Sequence, residues 1–309
     1  MILRRISWTI KQHPAATFFI LAFAFTWANW VPQALTSRGL LTVQVPGVVT
    51  MMAGYGPALA AVIVTASLYG KPGLRQLGGR LVHWRVGIQW YAFALLAPPL
   101  IAAAGLALHL LTGGAPPYVA VSAGAPFGLG GSLWQQVALL LLMFTLGFDG
   151  LGEELGWRGF ALPHLRAARS ALASSLILGF VWGVWHIPYA LTAGSALASR
   201  PILWLLVDVL AAAILFTWLF NHTGGSVLLA ILFHAAGNTT HTILPSVWRL
   251  LRLEQSDLSV TPSAANELRI FLFQIGVRWL LAIVVLIVAG RELGRRPLVR
   301  PALRAKPSP

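Results

Sequence analysis

The sequence predicts an all-α polytopic membrane protein, with about eight transmembrane helices around a membrane-embedded polar site. Three observations predict it. Of 309 residues, 57% are hydrophobic and only 10% charged, with mean hydropathy +0.76, where a soluble domain carries about 25% charged residues. Apolar runs long enough to cross hydrocarbon, about 20 residues each, recur along the whole chain. The loops between them are alternately basic and poor in charge.

Taken in order, the runs lie at about 15–35, 47–69, 90–111, 133–151, 172–192, 202–221, 226–244 and 270–290. Arg4, Arg5 and Lys11 precede the first, which lacks a small-residue cleavage site and reads as a retained anchor rather than a signal peptide. Lys71, Arg75, Arg80 and Arg85 separate the second from the third, and Arg158, Arg166 and Arg169 separate the fourth from the fifth. The 112–132 loop is Gly/Pro-rich and uncharged, and 36–46 carries only Arg38. This is the positive-inside pattern with both termini cytoplasmic, and it requires an even number of spans. The connection at 245–268 carries both signs of charge, a departure from the pattern. Residues 1–292 read as one integral domain and 293–309 as a basic, disordered cytoplasmic tail.

These features exclude several classes of function. The net charge of +14 sits in loops and tail, as a topology signal and a contact for anionic lipid, so no nucleic-acid partner is expected. Cysteine is absent, which removes disulfides, thiolate metal sites and thiol nucleophiles. No internal repeat of the kind built into many transporters is visible.

Polar residues inside spans are costly and mark sites. Asp149, Glu153 and Glu154, three of the eight acidic residues, fall within "FDGLGEELGWRGFALP". Glu154 and Arg158 are i and i+4 on a helix and can pair, whereas Glu153 points about 100° away and keeps no local cation. "FVWGVWHIPYAL" places His186 one turn after Trp182. "NHTGGSVLLAILFHAAGNTTHTILP" sets His234 and Asn238 on one face, continued by His241, with Ser226 as a helix cap and Ala235, Ala236 and Gly237 admitting a neighbouring helix. Each group alone reads equally well as helix–helix contact. Together they bring two carboxylates, two imidazoles and an amide from three spans, which is the material for activating water. Asp208 and Arg278, in the sixth and eighth spans, are expected to pair with each other.

"GEELGWRGF" resembles the Glu-Glu-x-x-x-Arg motif of the CAAX prenyl protease and bacteriocin-processing (CPBP) family of intramembrane proteases. "WGVWHIP" is similar to its Phe-x-x-x-His motif, with Trp182 in place of phenylalanine, and "HAAGN" to its His-x-x-x-Asn motif. The resemblance is specific over 148–241. It implies peptide-bond hydrolysis in the membrane, with catalytic residues Glu153, Glu154, His186, His234 and Asn238. Glu153 would be the general base with His186 assisting. His234 and Asn238 would bind the oxyanion, or else hold a metal. Arg158 supports the geometry and Trp182 lines the pocket wall. A zinc ion held by Glu153, His186 and His234 stands beside a metal-free glutamate mechanism.

The implied partners are a membrane-associated peptide, prenylated or of leader type, and the lipid bilayer itself. With 19 arginines against 3 lysines, the composition fits a bacterial inner membrane. A transporter, or a non-catalytic peptide-binding or immunity protein, would draw on the same buried residues.

Overall fold

A computed structural model describes residues 10–43, 45–115, 128–147, 149–250 and 264–294. Most of the 112–132 loop, of the 245–268 connection and of the basic tail lies outside the described residues. Among those described there is no strand. Seven helical segments are long and apolar enough to cross a membrane, and a shorter apolar helix joins them.

α1 (Pro14–Ser37) and α3 (Gly56–Gly79) are joined through α2 (Gly47–Met52) and a 3-10 turn at Ala53–Tyr55. The second span therefore starts at Ala53 rather than at 47. Pro57 opens its helix, and Thr26 of α1 donates to the Ala53 carbonyl at 2.7 Å. Gly70, at φ 57, kinks α3 and ends its straight part at the expected residue 69. α4 (Ile88–Leu111) follows as predicted.

The fourth span departs most from expectation. α5 (Leu133–Leu142) starts on a capping box between Ser132 and Gln135. It then runs through a π turn (Met143–Gly147), α6 (Asp149–Gly156), a second π turn (Trp157–Ala161) and α7 (Leu162–Arg166). The helical run thus extends fifteen residues past 151, and the acidic motif lies inside it rather than at its end.

The fifth span is broken. α8 (Ala171–Trp185), capped by Ser170, stops at His186, and α9 (Ile187–Ala190) resumes. Pro188 has no N–H to continue the ladder, so the helix bends there. α10 (Ile202–His222), α11 (Val227–Leu250) and α12 (Ala264–Ala289) complete the set. Ser226 caps α11 as expected, accepting from the Leu229 N–H at 3.3 Å. Ala235 and Ala236 are buried, but Gly237 faces open space.

Neighbouring helices close a ring in which α6 packs between α3 and α11. From α11 it continues through α4, α12, α10 and α8, and α9 returns to α1. Close approach of α6 depends on lacking side chains: a Cβ on Gly152 would lie 2.8 Å from the Gly54 carbonyl oxygen, and one on Gly156 2.5 Å from Pro57. Large apolar side chains such as Leu100, Leu203, Leu280 and Ile287 point outward, as lipid-facing residues do.

The end of the bundle that carries both termini is tied down by polar contacts. Arg80 donates to the Gly159 carbonyl and its own carbonyl accepts from Val227 at 3.0 Å, while burial pushes its guanidinium down to about 10, still charged at neutral pH. Asn221 donates to the carbonyls of Glu292 and Leu293, and Leu293 is 0% exposed. The chain is thus packed through Leu293, just past the point where a free tail was expected to begin. Asp208 and Arg278 pair across α10 and α12, as the sequence suggested.

Candidate active site

The two adjacent carboxylates of α6 are both shut off from solvent, Glu153 at 1% exposure and Glu154 at 0%. Being about 100° apart on the helix, they meet different surroundings. Glu154 turns toward Arg158, whose Nη1 reaches its two oxygens at 2.8 and 2.9 Å, with the arginine also 0% exposed. The Arg158 guanidinium lies 4.5 Å from the Trp182 ring centre and 3.9 Å from that of Phe216. Its Nε and Nη2 have no hydrogen-bond partner among the described residues, so aromatic faces replace the missing acceptors.

Glu154 also meets His234 of α11, whose Nδ1 lies 2.8 Å from Oε1. A carboxylate can only accept, so Nδ1 carries a proton and Nε2 is the atom left for other work. Glu154 therefore joins Arg158 of its own helix run to His234 across the bundle.

Glu153 has no cation beside it. Its Oε2 accepts from the indole N–H of Trp182 at 2.5 Å and of Trp157 at 3.2 Å. Its Oε1 faces His186, with Nε2 at 4.0 Å. The His186 ring is oriented by Nδ1, 2.9 Å from the Trp182 carbonyl. That carbonyl fixes the proton on Nδ1 of the neutral ring and leaves Nε2 as an acceptor. Trp182 thus does more than form a wall: its indole holds Glu153 and its carbonyl holds His186. A phenylalanine there would lack the N–H.

The sequence placed Glu153, Glu154, His186, His234 and Asn238 around one centre, and the structure brings them together with one addition. Asn238 donates to Asp149 Oδ2 at 2.7 Å, which draws Asp149 into the group. Asp149 was counted in the acidic cluster but given no role, although its i, i+4 spacing to Glu153 already put both on one face of α6. An aromatic wall from α1 was also missed. Trp30 packs on Trp185 and Tyr189 (centroids 4.5 and 5.1 Å), and Trp27 donates to the Trp185 carbonyl at 3.0 Å. A helix so remote in sequence carried no signal beyond its tryptophans.

One donor atom each from Asp149, Glu153 and His234 lies within 4.8 Å of the others, the set able to hold a metal ion. His186 is outside this compact set, although it stands beside Glu153. The donors suit a divalent cation: each also hydrogen-bonds outward, His234 to Glu154, Asp149 to Asn238 and Glu153 to the two indoles. Such outer partners orient metal ligands.

Comparison with known proteins agrees with this geometry. Residues 134–240 match the type II CAAX prenyl endopeptidase Rce1-like family. The chain is also similar to "CAAX prenyl protease 2" of Methanococcus maripaludis, 24% identical over 240 residues, covering 74% of this chain and 83% of the relative. The matched window contains every residue of the buried cluster. With its seven long apolar helices and this motif core, the chain is an integral membrane protein that belongs to the CPBP family of intramembrane proteases.

Proposed function

We propose that the protein is an intramembrane endopeptidase in which Glu153 activates the attacking water. The observation that carries this reading is the divided Glu153 carboxylate: two indole N–H groups hold one oxygen, and the other faces His186 Nε2 across 4.0 Å. One water making two hydrogen bonds of ordinary length spans such a gap.

Glu153 takes one proton from that water as its oxygen attacks the peptide carbonyl, while His186 Nε2 accepts from the other hydrogen and aims the lone pair. The oxyanion is met by His234 Nε2–H, with His234 carrying a second proton on Nδ1 against Glu154, and by the Asn238 N–H not used by Asp149. Glu153 then returns its proton to the amine nitrogen as the C–N bond breaks. Glu154 and Arg158 hold His234 in place, and Trp182 holds both Glu153 and His186. Where a metal such as zinc is bound, by Asp149, Glu153 and His234, it supplies Lewis-acid polarisation of oxygen. The set expected from the sequence, with His186 in place of Asp149, is the alternative ligation.

The proposed substrate is a membrane-associated peptide, prenylated or of leader type, reached in a bacterial inner membrane with both termini of the enzyme cytoplasmic. The test is cleavage of fluorogenic prenylated and leader-type peptides by the purified protein in lipid, with and without chelator. Glu153→Gln is expected to lower turnover at least about 10³-fold and His234→Ala about 10²–10³-fold. Full turnover by Glu153→Gln would remove the base from the scheme. Peptides bound in a Glu153- and His234-dependent way but never cleaved would make this a binding protein.

A further inference from the structure

A second polar group lies where α10, α11 and α12 meet, apart from Glu153. Asp208 and Arg278 form the ion pair between α10 and α12. Arg200, just ahead of α10, lies with its guanidinium 4.3 Å from the Phe271 ring centre and within electrostatic range of both Asp208 and Arg278. His241 of α11 feels both arginines. Among the described residues, Asp208 is the one carboxylate within ion-pair distance of any of these side chains, and Arg278 takes it. A neutral Asp208–Arg278 pair would be ordinary helix–helix contact. Arg200 leaves one positive charge over in a partly buried setting, and such a charge calls for an anion.

The position indicates which anion. His241 follows His234 by seven residues on α11, so it shares that face and stands about 10 Å further along the helix axis. Asn238 lies between them. An extended peptide covers about 3.3–3.6 Å per residue, so about three residues link a carbonyl held at His234 to an anion held beside His241. Guanidinium forks match a planar carboxylate.

We propose that Arg200, Arg278 and His241 form a carboxylate-anchoring subsite that fixes the free C-terminus of a peptide about three residues beyond the scissile bond. This rests on the endopeptidase reading of the Glu153 site and adds a measure of length to it. Peptides ending about three residues past the cleaved bond seat both their carbonyl and their carboxylate. Amidated or much longer ones leave the excess charge unmatched.

The test uses the full chain in phosphatidylcholine nanodiscs and measures binding of the tripeptide Val-Ile-Leu as free acid and as amide. Alongside it, cleavage is measured for a fluorogenic peptide that ends in the same three residues, again as acid and amide. The acid is expected to bind the wild type about tenfold more tightly than the amide. Arg200→Gln should bring the ratio to near one, and Arg200→Lys should keep part of it. Equal binding of acid and amide by the wild type, or an acid preference that survives Arg200→Gln, overturns the anchor. An acid preference with no cleavage of either peptide keeps the anchor and defeats the protease reading. Cleavage with no acid preference does the reverse. If Arg200 governs binding of phosphatidylglycerol added to the discs and not of the peptide acid, the site holds a lipid headgroup and the peptide anchor is overturned.

Discussion

Glu154→Gln tests the buried pair without changing the size of the side chain. In the wild type Glu154 is the anion for Arg158, both 0% exposed, and it also takes the Nδ1 proton of His234. Removing one charge of a buried pair costs about 3–5 kcal/mol, because the remaining charge stays desolvated. Glutamine keeps an oxygen that still accepts from Arg158 or His234, which restores about 1 kcal/mol. The aromatic faces of Trp182 and Phe216 stay on the guanidinium. The expected net loss is about 2–4 kcal/mol, read as a fall of at least about 5 °C in the unfolding midpoint of the detergent-solubilised protein. Adding Arg158→Met removes the stranded cation, and the double variant should recover at least half of the loss. A double variant no more stable than Glu154→Gln would refute the reasoning, since the damage would then lie in packing around residue 154 and not in an unpaired charge.

Gly152→Ala forces a methyl group onto the Gly54 backbone and should cost about 1–3 kcal/mol in the same melting assay. Gly237→Ala, which meets nothing within 4 Å, should leave the midpoint unchanged or raise it, as alanine favours helix by about 1 kcal/mol; equal effects of the two would show that the α3–α6 contact is not tight. Asp149→Asn keeps the side-chain shape beside Asn238 but weakens a metal ligand. Elemental analysis after dialysis against limiting zinc should show affinity lowered about 10–100-fold, and unchanged zinc retention would exclude Asp149 as a ligand.

What could be read from the sequence was local or chemical. Composition gave the solvent. Spacing gave the Glu154–Arg158 pair, the divergence of Glu153, and the shared face of His234 and Asn238. Asp208 and Arg278 were matched because an uncompensated charge in a span is so costly. What escaped depended on contacts made across the bundle. Asn238 reaches Asp149 over 89 positions of chain, and no periodicity announces that. The approach of α6 to residues 54–57 was written in Gly152 and Gly156, but which backbone they admit is a property of the assembled ring. The fourth span was expected to stop at 151 because glycines and charges dilute its hydropathy there. Its helical ladder nevertheless continues, since buried partners replace lipid around it.

The two π turns that bracket α6 have a consequence for how such a site can change. Each closes hydrogen bonds one residue wider than the α ladder, so each holds one residue more than a regular helix would need to cover the same height. Deleting a single residue within 143–147 would let the ladder close as ordinary α-helix and swing α5 by about 100° relative to α6. The carboxylates would stay locked against Gly54 and Pro57 while the preceding half of the span turned a different face toward α11. Insertion and deletion, more than substitution, are therefore the changes by which this span could be re-aimed around a fixed Glu153.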